Sequence, residues 1–259
     1  MNTEFLEVSS VSGHNKWSKI QHKKGAKDAK RGQAFSKLIK ELTVVARAGG
    51  GSPEANPRLR MLILKAKGIN MPNDNVQRAI KRGTGEIPGV TYEEQTYEGF
   101  GPGGVAFLVD ALTDNKNRTV ADVRNIFSKG GGNLAGGSSV AWMFHLKGVI
   151  TVAKEHAKED SLFMLSTEAG AEDFSGDEED YQITCDPSNT DEIRETLEKN
   201  NIQIKSIETE KVASNLVELS KDDTAKVIKL IESLEENEDV QNVWTNINIT
   251  DAMMASLGE

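Results

Sequence analysis

Apolar residues recur at helical spacing through the first third of the chain. Between Ala26 and Ala48, the residues Ala34, Phe35, Leu38, Ile39, Leu42, Val45 and Ala46 fall three or four positions apart. That period predicts one helix with a single buried stripe. Gly49-Gly50-Gly51 ends it. Ser52-Pro53-Glu54 offers a restart, with Ser as N-cap and Pro at the first helical position. Asn56-Pro57 opens a second helix to about Lys67 that buries Leu59, Leu62, Ile63 and Ala66. After Met71-Pro72, Asn73 is expected to cap a short third helix carrying Val76, Ala79 and Ile80, which stops at Gly83-Thr84-Gly85. The pattern is a three-helix domain preceded by a polar arm.

Beyond Gly85 the period changes. Glu94–Glu98 and Val105–Leu112 read as strands, Val120–Lys129 as a helix, and Val140–Leu146 is ambiguous. Then follow Val149–Val152 (strand), Ser161–Gly170 (helix), Tyr181–Cys185 (strand), Asp191–Asn200 (helix) and Ile202–Glu208 (strand). Asn215–Leu219 (strand), Thr224–Leu234 (helix) and Val240–Ile249 (strand) complete the chain. Short linkers and this order predict α+β layers with helices on one sheet face. Residues 148–209 approach one β-α-β-β-α-β unit, the ferredoxin-like arrangement. Residues 168–180 hold seven acids and are expected to be an exposed loop.

Composition adds limits. The chain has 259 residues, a prior for two or three domains, and its 27% charged residues fit a soluble protein. No window approaches a membrane span, and residues 1–12 lack the marks of a secretory signal. Cys185 is the sole cysteine, so no disulfide framework and no cysteine-based zinc site is expected. A reducing cytoplasmic setting follows.

Net charge changes the picture most. The total is −9, yet residues 14–82 hold 17 Lys and Arg against four acids, a net +13. Residues 83–259 carry −20. A basic end on an acidic body points to an anionic partner for that end.

The arm over residues 13–37 sets Lys16, Lys19, Lys23, Lys24, Lys27, Lys30, Arg31 and Lys37 among Gly13, His14, Asn15, Trp17 and His22. Lysine and arginine neutralise phosphates and release counterions. Trp17 is placed to stack on an unpaired base. These residues, with Arg78, Lys81 and Arg82 of the third helix, are the candidate nucleic-acid contacts. Asn115, Lys116 and Arg118, in Thr113–Thr119, join them, although the same residues equally suit helix capping. The alternative for the arm is a solvated basic face with Trp17 as a core anchor. His14 and His22 lack companion ligands for a metal.

Gly99–Gly104 matches G-x-G-x-x-G, but a strand follows it, so a strand-to-strand turn is read instead of a dinucleotide site. Gly130–Ser139 lacks the ending of a phosphate loop and is expected to be a mobile connection. No catalytic constellation emerges, and no enzyme activity, cofactor, metal or small-molecule substrate is expected.

Taken together, several stretches resemble the YebC family: Gly13-His14-Asn15-Lys16-Trp17, His22-Lys23-Lys24, Asn70-Met71-Pro72-Asn73-Asp74-Asn75, Tyr97–Ala106, Thr113–Thr119 and Gly137–Trp142. That family includes the mitochondrial translational activator of cytochrome c oxidase subunit I. The resemblance spans residues 13–250. Residues 1–12 extend beyond its usual start and are expected to be disordered. Gln21 stands where relatives usually carry a basic residue.

The resemblance implies a multidomain α+β fold. Residues 13–83 would form a basic helical domain and 84–147 plus 210–250 a discontinuous middle domain. An inserted ferredoxin-like domain would span 148–209. It implies a non-enzymatic regulator of gene expression that binds DNA as a transcriptional regulator. The alternative is a ribosome-associated translation factor that binds ribosomal RNA or transfer RNA and relieves stalling at sequences such as consecutive prolines. A protein adaptor using the acidic body would leave the basic segment without a role. The arm's composition carries no preference between DNA and RNA, although its disordered look and stacking tryptophan suit RNA.

Overall fold

The computed structural model describes the backbone of residues 27–249 and the side chains from Arg31 onward. In chain order the helices are α1 (Lys27–Gly49), α2 (Pro57–Gly68) and α3 (Asn73–Gly83). Next come β1 (Glu93–Phe100), β2 (Ala106–Thr113), α4 (Lys116–Lys129) and β3 (Asn133–Leu134). A second series runs β4 (Phe144–Ala153), α5 (Glu159–Glu168), β5 (Ala171–Gly176), β6 (Asp180–Cys185), α6 (Thr190–Lys199) and β7 (Ser206–Ala213). It is followed by α7 (Lys221–Glu235) and β8 (Val240–Thr245). The described chain divides into two compact units, 27–141 with 219–244, and 142–218 with 245–249.

The apolar stripe of α1 builds the helical core. Leu38, Leu42, Val45 and Ala46 are buried with Leu59 and Ala66 of α2 and Val76, Ala79 and Ile80 of α3. Asn56 couples two helix ends. Its side-chain oxygen accepts from the Leu59 amide (3.1 Å), and its Nδ2 donates to the carbonyls of Val45 (3.1 Å) and Gly50 (2.9 Å). Ser52-Pro53-Glu54 does not restart a helix. It forms a turn in which the Ser52 hydroxyl donates to the Glu54 carboxylate (2.6 Å), so helix α2 waits for Asn56. Asn73 does not cap α3 either. Pro72 occupies the cap position and Asn73 is already the first helical residue.

Gly83 allows α3 to cross α1 closely. A Cβ there would stand 2.4 Å from the Thr43 carbonyl oxygen and 2.8 Å from the Ala46 Cβ. Gly83→Ala is therefore expected to lower the unfolding free energy by about 1–3 kcal/mol. Urea denaturation checks this, and an unchanged midpoint would show that the crossing opens without loss.

The first unit also contains a sheet of order β3-β1-β2-β8. β1 and β2 form an antiparallel hairpin in which Gly99 faces Phe107. Their connection turns at Pro102–Gly104, with Gly103 and Gly104 at φ +68° and +77°, which bears out the reading of this glycine run as a turn. β2 is buried almost throughout because Val123 and Phe127 of α4 close one of its faces. The Phe107 and Phe127 rings meet edge to face at 5.5 Å. The Trp244 indole donates to Asp110 (3.0 Å), which satisfies a carboxylate within the sheet.

The Gly130–Ser139 connection is held rather than free. β3 lies in it and pairs with β1. Glu98, buried in β1, then accepts from the amides of Ser138 (2.6 Å), Val140 (2.6 Å) and Ala141 (2.9 Å). Burial alone would raise the pKa of this carboxyl, but the amides hold it below the ordinary carboxylate range.

The second unit holds a sheet of order β5-β6-β4-β7, with each adjacent pair antiparallel. Ile150, Val152, Leu162, Ile183, Cys185, Ile193 and Leu197 form its core under α5 and α6. The acidic run at 168–180 is not a loop. Its centre is β5, the edge strand, and its last residue begins β6. Phe174 anchors the edge by stacking on Tyr181 at 5.5 Å, while Glu172 and Asp173 remain exposed. An edge strand tolerates such acids because one of its sides faces water. Asp180, 1% exposed, takes two bonds from the Lys205 ammonium (2.9 and 2.8 Å). Asn215–Leu219 forms no strand, only an isolated parallel bridge between Val217 and Ile247.

Candidate nucleic-acid interface

The sequence-predicted contacts separate into four groups. Gly13, His14, Asn15, Lys16, Trp17, Lys19, His22, Lys23 and Lys24 lie outside the described residues. Lys27 and Lys30 fall in the first turns of α1. The remaining residues are placed by α1, α3 and the start of α4.

Along α1 the cations are directed to different ends. Arg31 is exposed and stacks over the Phe35 ring at 5.4 Å. Lys37 faces inward, with its Nζ donating to the Glu235 carbonyl (2.7 Å) at the end of α7. Gln33 donates to the same carbonyl (2.8 Å). Burial pushes the Lys37 ammonium down to about 8. Lys40 donates to the Glu238 carbonyl (2.9 Å) and to Asp239 Oδ1 (2.6 Å). Gln33, Lys37 and Lys40 are thus one stripe at helical spacing that fastens α1 to the carboxyl end of α7. Cations suit that end because its last carbonyls have no partner inside the helix.

Asp239 is the centre of this contact. Its carboxylate, 5% exposed, also receives Arg118 Nη2 (2.7 Å) and the Thr119 hydroxyl (2.7 Å). Burial would raise its pKa, but hydrogen bonds from Arg118, Lys40 and Thr119 hold it down to about 2. Arg118 additionally pairs with Asp114 (2.8 Å). Asn115 caps α4 by accepting from the Arg118 amide (3.1 Å), and Lys116 pairs with Glu93 (2.5 Å). The structural reading of Thr113–Thr119 therefore accounts for all three predicted side chains. Lys40, Tyr92, Asp114, Arg118, Asp122 and Asp239 line a cleft of about 520 Å³. Within it the carboxylates of Asp114 and Asp239 pair with Arg118, and that of Asp239 also with Lys40.

α3 differs. Val76, Ala79 and Ile80 turn inward, and Asp74, Gln77, Arg78 and Lys81 form the exposed stripe on the other side. Gln77, Arg78 and Lys81 engage no side-chain partner among the described residues. Arg82 is half-buried, with its stem packed at Gly89. α2 adds exposed Arg58, Arg60, Lys65 and Lys67, which the sequence reading did not single out. Their signal was present as four cations within one twelve-residue helix free of acids. No cluster of three metal-ligating side chains occurs among the described residues.

With this geometry in hand, the chain can be set beside known proteins. Residues 15–86 match the family described as the TACO1/YebC protein N-terminal domain, and residues 92–247 match TACO1/YebC second and third domain. A protein of Geotalea uraniireducens is 53% identical, with 94% of this chain and 98% of the relative covered. One of Natranaerobius thermophilus is 51% identical over 94% of this chain and 99% of that relative. Both carry the name "probable transcriptional regulatory protein". The crystal structure of a conserved hypothetical protein, Aq1575 from Aquifex aeolicus, superposes with a TM-score of 0.80. It is 44% identical, and the match covers 91% of this chain and 98% of that one. Residue matches across nearly the whole length and a shared fold agree: the chain belongs to the TACO1/YebC family.

Proposed function

We propose that the protein is a non-enzymatic, DNA-binding regulator of transcription that grips the phosphate backbone through its basic amino-terminal third. The carrying observation is the exposed stripe of α3, where Arg78 and Lys81 stand beside Gln77 with no internal partner. It continues the +13 segment, and the name shared by the relatives accords with it. A cationic helix with an exposed amide side chain fits the major groove of B-form DNA, which admits an α-helix. The acidic remainder is repelled by phosphate and orients the molecule. Under this reading residues 13–83 are the binding domain. Residues 84–147 with 210–250 are a middle domain and 148–209 a ferredoxin-like insert, in keeping with the strand order β5-β6-β4-β7. No helix among the described residues is long and apolar enough to cross a membrane, and the proposed setting is the cytoplasm.

The test replaces Arg78 and Lys81 with Glu and measures duplex binding by gel retardation across a salt series. Affinity should fall at least about tenfold and the salt dependence should flatten. Glu in place of Lys23, Lys24, Lys27 and Lys30 should abolish binding. Unchanged affinity in both variants would remove the basic third from the interface. A wild type that ignores duplex DNA but sediments with ribosomes in a ribonuclease-sensitive way would transfer the same surface to RNA.

A further inference from the structure

Two helix faces carry exposed apolar side chains inside rims of opposite charge. On α2, Met61 and Leu64 are 51% and 54% exposed. They stand among Arg58, Arg60, Lys65 and Lys67, and none of these four cations forms an ion pair among the described residues. On α5, Phe163 and Met164 are 50% and 61% exposed. Their rim is Glu159, Asp160 and Glu168, and these acids likewise form no ion pair among the described residues. Glu159 takes only a 3.4 Å bond from the Tyr181 hydroxyl. The sequence reading left both faces unused.

Single exposed apolar residues are ordinary, but adjacent pairs ringed by charge of one sign mark interaction surfaces. α2 places its pair at positions i and i+3, on the side opposite buried Leu59 and Ala66. On α5, Met164 lies opposite buried Leu162 and Ser166, and Phe163 lies beside it on the flank of the helix. Phe163 is braced from below by the Phe174 ring at 5.6 Å, edge to face, so it is presented rather than loosely exposed. Each face thus has an apolar centre to cover, and the carboxylates of one rim match the cations of the other.

We propose that the α2 face of one copy of this chain docks on the α5 face of a second copy, head to tail. Such a contact is heterologous, since the two partners use different surfaces. An open assembly keeps one free α2 face at one end and one free α5 face at the other, so association extends with concentration until a ring closes. Charge complementarity sets the orientation and excludes α2-on-α2 and α5-on-α5 pairing. The contact is small, so association is weak and falls with added salt. This is independent of whether the basic third meets DNA or RNA.

Sedimentation equilibrium of the full chain, without nucleic acid, tests it. At low salt the weight-average mass of the wild type should rise with concentration in the micromolar range and return to one chain at high salt. The double variant Arg58→Glu with Lys65→Glu should stay at one chain throughout. So should Asp160→Lys with Glu168→Lys. Mixing these two variants should restore association, because the first keeps an unaltered α5 face and the second an unaltered α2 face, and the two altered faces are again of opposite charge. A second pair, Met61→Ser with Leu64→Ser, should lose association without any change of charge, and circular dichroism should show native helix content in all three. A wild type that stays at one chain in every condition overturns the proposal. So does a single-face variant that still associates, or a mixture of the two charge variants that does not.

Discussion

Asp239→Ala is expected to lower the unfolding free energy by about 3–5 kcal/mol. Alanine would leave the Lys40 ammonium, 12% exposed, without its carboxylate, and would remove one acceptor each from the Thr119 hydroxyl and Arg118. Taking one partner from a buried pair leaves a charge that water reaches poorly, which is why the effect exceeds that of an exposed pair. Arg118 keeps Asp114, so the larger share of the loss falls on Lys40. Chemical denaturation at neutral pH measures it. A change below about 1 kcal/mol would mean that the cluster behaves as an ordinary surface network. The acid limb gives a second reading. The Asp239 carboxyl is held at about 2, below its ordinary 3.8, so its contribution is full above 3.8 and is lost as pH falls through 2. That contribution is about 2 kcal/mol, and the alanine variant should lose correspondingly less stability on acidification than the wild type.

Glu98→Ala should produce a loss of similar size, about 3 kcal/mol or more. Three backbone amides, those of Ser138, Val140 and Ala141, would lose their acceptor, each at about 1–3 kcal/mol where buried. The loss should be local in its signature. Amide hydrogen exchange should accelerate at these three positions and at Ala135, whose amide bonds the Glu98 carbonyl (2.7 Å). The Gly83 crossing and the α1–α7 contact should retain their protection. Uniform acceleration across the first unit would show instead that Glu98 supports the whole sheet, and unaltered exchange would show that the connection holds itself.

How far the sequence predicted these features follows from what a side-chain pattern records. The three helices were legible because each carries an unbroken apolar stripe, and the β1–β2 turn because only glycines fit its positive φ angles. β5 was hidden because its acids dominate the composition of 168–180. What makes it a strand is Phe174 on Tyr181 and a neighbour to pair with, and both are tertiary facts. Asn73 misled because its residue type suits a cap, whereas Pro72, one residue earlier, already takes that place.

The candidate site was legible in charge but not in direction. Lys37 and Arg78 are equivalent as cations in a sequence. One is turned to the Glu235 carbonyl and the other to water, and only the packing of α1 against α7 and of α3 against α1 decides which. Glu98 is one of four glutamates at or near β1, beside Glu86, Glu93 and Glu94, and nothing in its neighbours foretells three amides reaching it from forty residues away. The Asp239 cluster was equally out of reach, since Lys40 and Arg118 meet their carboxylate across 199 and 121 residues of chain.

That separation has a consequence for the order in which the protein takes shape. β1, β2 and α4 adjoin in sequence and close on local contacts, but β8, the last strand of their sheet, leaves the ribosome only after residues 142–218 of the second unit have been synthesised. Until then β2 is an unfilled edge, and Lys37 and Lys40 have neither α7 nor Asp239 to meet. High-contact-order closure of this kind is slow and exposes a sticky strand in the interval. The second sheet has all four of its strands in one uninterrupted stretch, so on the nascent chain it completes before the first sheet is closed.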